Sequence, residues 1–138
     1  MRLTAVRGRR VALAAVAALA LFAASVAAVA QPGAPATNAL AGDATRGKTL
    51  YQACAACHSI DENDVGPKHR GVVGRRAATI ADYDYSPALK RSGITWDEST
   101  LDRWLVNPSA LVPGTKMFFR IDDAQARADL IAYLKLQK

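Results

Sequence analysis

Two thiols and an imidazole stand together at Cys54-Ala55-Ala56-Cys57-His58, and no other cysteine occurs in the chain. Four chemistries are open to such a group. An exported protein could oxidise the pair to a disulfide. Cys-x-x-Cys alone could serve thiol–disulfide exchange, which requires a strand–loop–helix context. The flanking TRGKTLYQACAACHSI instead reads as helical, with no β-branched run before it. A structural zinc site needs four ligands. Past residue 30 the chain offers only the two cysteines, His58 and His69, and His58 abutting Cys57 is awkward for one tetrahedral ion. The fourth chemistry is covalent attachment of a c-type haem, for which Cys-x-x-Cys-His is the recognised pattern.

Haem attachment gives each residue a physical reason. Cysteines at i and i+3 project from one helical face, so both sulfurs can form thioethers with the vinyl groups of one porphyrin. His58 then presents its ring to the iron from the same side. Attachment requires reduced thiols and export-dependent assembly, and one haem c per chain is expected. For the second axial position, Met117 is the only methionine beyond Met1. A thioether is a soft, uncharged ligand that favours ferrous iron and raises the reduction potential. Met117 follows Pro113-Gly114-Thr115, a turn able to present a side chain from a loop. A methionine filling a core gap is the alternative reading, and His69 is the other nitrogen candidate.

The elements that must position these residues form one small domain. Residues 1–30 hold no acid and four arginines, Arg2, Arg7, Arg9 and Arg10, followed by an Ala/Val/Leu run that ends in Ala28-Val29-Ala30. This is the pattern of a secretory leader cleaved after Ala30, with an uncleaved membrane anchor as the alternative. The chain's net charge is +6, but beyond the leader 14 basic residues face 12 acidic ones, a net of +2. A nucleic-acid partner thus loses its main support. Residues 31–41 are Pro/Ala/Gly-rich and read as a flexible linker. Residues 42–138 remain as the folded domain, small enough that added buried area would help it.

Within that domain the pattern is all-α. A helix is predicted over about 44–56, opened by an Asp43 cap and carrying the cysteines at its end. A short one follows near 87–91. Thr95-Trp96-Asp97-Glu98 reads as a capping box opening a helix that must stop before Pro108. A last helix is predicted over about 123–136, with Leu130, Ile131 and Leu134 at helical spacing. Asp61-Glu62-Asn63-Asp64 reads as a solvated acidic loop rather than a calcium site.

From Gly42 to Leu136 the sequence resembles class I cytochrome c of the mitochondrial and bacterial soluble type. The resemblance rests on Gly42-Asp43, Gly47-Lys48, the CAACH box, Gly66-Pro67, Gly71, Gly74-Arg75 and Tyr83-Asp84-Tyr85-Ser86. It continues through Trp96, Asn107-Pro108, Pro113-Gly114-Thr115-Lys116-Met117, Arg127 and the run Asp129 to Leu134, in the family's order. It implies three to five helices wrapped round one covalent haem, with Cys54 and Cys57 as thioethers and His58 and Met117 as axial ligands. Pro67 would accept a hydrogen bond from His58 through its carbonyl. Arg75, Tyr85 and Trp96 match positions that contact the haem propionates. Thr115 matches a distal hydrogen-bonding residue, and Phe119 an aromatic shielding the haem beside Met117. Gly47 would let the first and last helices cross closely beside Tyr51 and Tyr133.

Three positions depart from the family pattern. His69 stands where a leucine usually packs on the haem, and a solvated ring is expected, with competition for the iron as the minority reading. Trp104 replaces a tyrosine whose hydroxyl reaches the methionine sulfur. Leu89 occupies a position often polar. The implied function is a periplasmic electron carrier, monomeric, exchanging electrons with a bc1 complex, a terminal oxidase, a photosynthetic reaction centre or a periplasmic dehydrogenase. A five-coordinate haem enzyme or sensor and a haem-free thiol oxidoreductase are the rivals. Lys48, Lys90, Lys116 and Arg120 lie near the expected haem edge and could steer acidic partners.

Overall fold

A computed structural model describes residues 40–138. The predicted leader, residues 1–30, and most of the predicted linker, residues 31–39, lie outside the described residues. Five α-helices follow in order: α1 (Ala44–Leu50), α2 (Pro87–Arg91), α3 (Glu98–Val106), α4 (Pro108–Leu111) and α5 (Ala124–Leu136). Among the described residues, strand-like pairing is limited to one isolated bridge between Arg76 and Thr95. The all-α expectation is met, and the strand–loop–helix frame of a thiol oxidoreductase is not what surrounds the cysteines.

The predicted helix over 44–56 ends sooner as α-helix. Asp43 caps α1 by accepting from the N–H groups of Thr45 and Arg46, but α1 stops at Leu50 and tightens into a 3₁₀ turn over Tyr51–Ala53. The carbonyl of Tyr51 then accepts from both Cys54 and Ala55, and that of Cys54 from both Cys57 and His58. These bonds satisfy carbonyls that a helix end leaves orphaned, and they fold the two cysteines and His58 into one tight turn.

The start of α3 corrects the sequence reading. Its N-cap is Asp97, not Thr95, and the reciprocal partner in the box is Thr100, not Glu98. Thr95 is already held in the bridge to Arg76, and its carbonyl accepts from the Thr100 hydroxyl at 2.7 Å. The helix stops before Pro108 as expected. Asn107 closes it and also caps α4, a helix the sequence reading did not include, by accepting from the Ala110 N–H at 3.1 Å.

The close crossing of α1 and α5 organises the rest. A Cβ at Gly47 would lie 2.0 Å from the Asp129 carbonyl oxygen and 2.8 Å from the Tyr133 Cβ, so only glycine allows this approach. Beside it the Asp129 side chain is almost fully buried. It accepts from Arg46 Nε at 2.8 Å, from the Asp43 N–H at 2.7 Å and from Gln125 Nε2 at 2.9 Å. The Arg46 guanidinium and then the Asp43 N–H hold the Asp129 carboxyl well below the usual carboxylate range. Two residues before Asp129 on α5, buried Arg127 donates to Asp102 of α3 and to the carbonyls of Ile121 and Asp122. That clamp ties α3 and α5 to the segment that follows Met117.

Two outcomes test this frame. Gly47→Ala should lower the thermal midpoint by several degrees or more, although alanine gains ~1 kcal/mol of helix propensity over glycine. An unchanged midpoint by calorimetry would mean that the crossing has slack. Because Asp129 titrates below its unfolded value near 4, its stabilisation is complete above about pH 4 and is lost as pH falls through the folded value. Asp129→Asn should therefore be less stable than the parent at pH 7 and lose less stability on acidification, as read by denaturant unfolding from pH 7 to 3.

Candidate cofactor site

A cavity of about 290 Å³ opens beside the Cys54–His58 turn. Its apolar wall is the core itself: Trp96, Leu101 and Trp104 from α3 and its approach, and Leu130 and Leu134 from α5. Leu89 of α2 is buried there too, so the position often polar in the family is apolar in this chain. The wall is therefore an apolar surface large enough to receive a flat hydrophobic group.

One side of the cavity carries Cys54, Cys57 and His58. His58 Nδ1 lies 2.7 Å from the Pro67 carbonyl oxygen. A carbonyl can only accept, so Nδ1 holds the proton and Nε2 keeps the lone pair that a metal requires. Burial is the larger influence on His58 and lowers its pKa, against the raising effect of the Pro67 carbonyl, which favours the neutral ring. Gly66 closes on that ring: a Cβ there would sit 2.2 Å from Cε1. Burial pushes the Cys54 thiol up to about 11, the opposite of the depressed values that make a thiol redox-active.

Met117 borders the same cavity. Trp104 Nε1 donates to the Met117 sulfur at 3.2 Å, so the indole reaches the sulfur from the position where the family has a tyrosine. The Thr115 hydroxyl, buried two residues earlier, accepts from the Met117 N–H at 3.4 Å. Further round the wall, Arg75 is half-buried and donates to the carbonyls of Lys68 and Arg70 at 2.9 and 2.7 Å. Two of its five N–H donors are thereby used on the loop that follows Pro67. Tyr85 and Trp96 are buried beside it on the cavity wall. Phe119 sits at the rim, 45% exposed, rather than deep over the site.

The structure thus brings Cys54, Cys57, His58, Pro67, Arg75, Tyr85, Trp96, Trp104, Thr115, Met117 and Phe119 to one cavity. It also corrects one expectation. His69 is not solvated: its ring stacks on His58 at 4.1 Å between centroids, 19° from parallel, and its Nδ1 lies 3.1 Å from the Tyr51 hydroxyl. Burial pushes His69 down to about 3. A ring stacked on His58 stands on the histidine side of the cavity. Sequence reasoning gave no role to Gly66 beyond a motif position, and its adjacency to Pro67 was the available signal.

A family profile described as Cytochrome c matches residues 44–138. The chain is 46% identical over 101 residues to cytochrome c2 of Rhodomicrobium vannielii, covering 70% of this chain and 81% of that protein. It is 45% identical over 101 residues to cytochrome c2 of Blastochloris viridis, covering 70% and 80%. Among solved structures, cytochrome cH from Methylobacterium extorquens aligns with a TM-score of 0.67 at 49% identity, over 69% of this chain and 99% of that one. With the profile spanning the whole helical domain and these identities behind it, the chain belongs to the cytochrome c family.

Proposed function

We propose that Cys54 and Cys57 carry one haem c as thioethers and that His58 and Met117 are its axial ligands in a periplasmic electron carrier. The observation that carries this assignment is the meeting of two thiols, a histidine whose Nδ1 is engaged by Pro67, and the Met117 sulfur around one apolar cavity. Bound haem supplies a reversible one-electron Fe(III)/Fe(II) couple. The protein supplies the rest. Pro67 orients His58 and raises its basicity as a ligand. Trp104 holds the Met117 sulfur in place and draws electron density from it, favouring the ferrous state. The wall of Leu89, Leu101, Leu130 and Leu134 excludes water, and Arg75, Tyr85 and Trp96 offer polar atoms to propionates that are costly to bury alone.

With His58 and Met117 both holding the iron, no coordination site would be left for oxygen or a substrate, and the haem would supply outer-sphere electron exchange. Export through the residue 1–30 leader, cleaved after Ala30, places the carrier in the periplasm, an oxidising compartment in which the two cysteines must be kept reduced until attachment. Its donors and acceptors are drawn from bc1 complexes, terminal oxidases, reaction centres and periplasmic dehydrogenases. Val65 and Phe118 are each 72% exposed at the cavity rim, and Lys90 and Lys116 both pair with Asp84, at 3.2 and 3.1 Å. The rim thus presents apolar side chains, and its Lys116 and the nearby Lys90 are already partnered by Asp84.

Three measurements bear on this reading. Holoprotein should give a low-spin reduced spectrum that carbon monoxide leaves unmoved, with a weak far-red methionine-to-ferric band when oxidised. A clear shift under the gas would mean an open sixth site and favour the sensor or enzyme reading. Trp104→Phe keeps a ring but loses the N–H. It should lower the reduction potential by about 40 mV, the one-electron equivalent of a ~1 kcal/mol hydrogen bond. Electron exchange with an acidic partner should slow only modestly as salt rises, and a steep decline in stopped-flow rates would show that unpaired cations dominate the encounter.

A further inference from the structure

We propose that His69 is a positioning residue that fixes the rotational setting of the His58 imidazole, and that Tyr51 locks His69 in that role. The proposal rests on the assignment of His58 as an axial ligand. Its own basis is a set of contacts that the ligand assignment does not require. The Pro67 carbonyl engages one edge atom of His58, Nδ1, at 2.7 Å. A single hydrogen bond restrains a ring edge but leaves the ring free to rock about it. His69 adds a planar contact, stacked at 4.1 Å and within 19° of parallel. Gly66 closes on the ring at Cε1 with no room for a Cβ.

The stacked ring is itself held. Its Nδ1 shares a hydrogen bond with the Tyr51 hydroxyl at 3.1 Å, and its backbone N–H donates to the Ser59 carbonyl at 2.9 Å. Tyr51 is buried and packs against Tyr133 of α5 with ring centroids 5.3 Å apart. The setting of His58 is thereby referred to the α1–α5 crossing through Tyr51 and His69. A leucine at position 69 would fill space without imposing a plane. The plane of a ligating imidazole selects which iron dπ orbital it overlaps, so a change of setting alters the magnetic anisotropy of low-spin ferric haem even when both ligands stay bound.

The test uses ferric holoprotein with His69→Leu, Tyr51→Phe and the double variant, read by the largest g value in frozen-solution EPR and by the spread of paramagnetically shifted haem methyl resonances. Tyr51→Phe removes only a hydroxyl, so it reports even if His69→Leu folds poorly. Both single variants should shift the g value and change the methyl spread while retaining the far-red methionine band. The double variant should match His69→Leu, because Tyr51 acts only through His69. Unchanged spectra in both single variants would overturn the proposal, as would additive shifts in the double variant. A parent protein lacking a low-spin His/Met signal would instead overturn the ligand assignment, and the two failures are distinct.

Discussion

The contact between Gly47 and the Asp129 carbonyl is the constraint from which the rest of the architecture follows. Two helices distant in sequence cross without side chains between them, and the Arg46–Asp129–Asp43 cluster holds the crossing in one register. The chain leaves α1 directly into the 3₁₀ turn and the cysteine–histidine hairpin, so the position of the crossing sets the position of those three side chains. Tyr51, at the end of α1, extends the same reference to His69 and so to His58. In the first turn of α5, Arg127 ties the segment after Met117 to α3. One helix thus registers both sides of the site.

Much of the domain's core is also the wall of its site. Leu101, Trp104, Leu130 and Leu134 pack among themselves and also face the cavity, so the apolar area that stabilises the fold is the surface that receives the cofactor. For a chain of this size that is economical physics, because a bound macrocycle adds buried area that fewer than a hundred residues are short of. It also couples the Met117 sulfur to the core through Trp104, whose ring packs edge-on against Trp96 at 5.1 Å while its N–H reaches the sulfur.

What could be read in the sequence was whatever local spacing or unique chemistry decides. Cys54, Cys57 and His58 lie within one turn, and Met117 stood out as the lone methionine beyond the leader. Asp43 announces its helix because a carboxylate in that place can cap the N–H groups of the first turn. Long-range partners decided the rest. Thr95 has the right residue type for a cap, yet pairing with Arg76 leaves the cap to Asp97. Nothing near His69 in sequence announces Tyr51, 18 positions away, as the hydroxyl that turns its ring inward. The short helix α4 hides behind Pro108, which reads as a stop for α3 and also serves as the first residue of a new turn.

Asp84 has a consequence for how long a partner stays. One carboxylate facing two ammonium groups cancels one of their two charges and leaves a compact cluster of net +1, near the exposed ring of Phe118. Such a surface attracts little from afar and binds chiefly by contact, so dissociation rather than arrival becomes the adjustable rate. A shuttle must be released as readily as it is caught, and a rim that presents Val65 and Phe118 beside lysines already paired with Asp84 suits brief, contact-governed encounters.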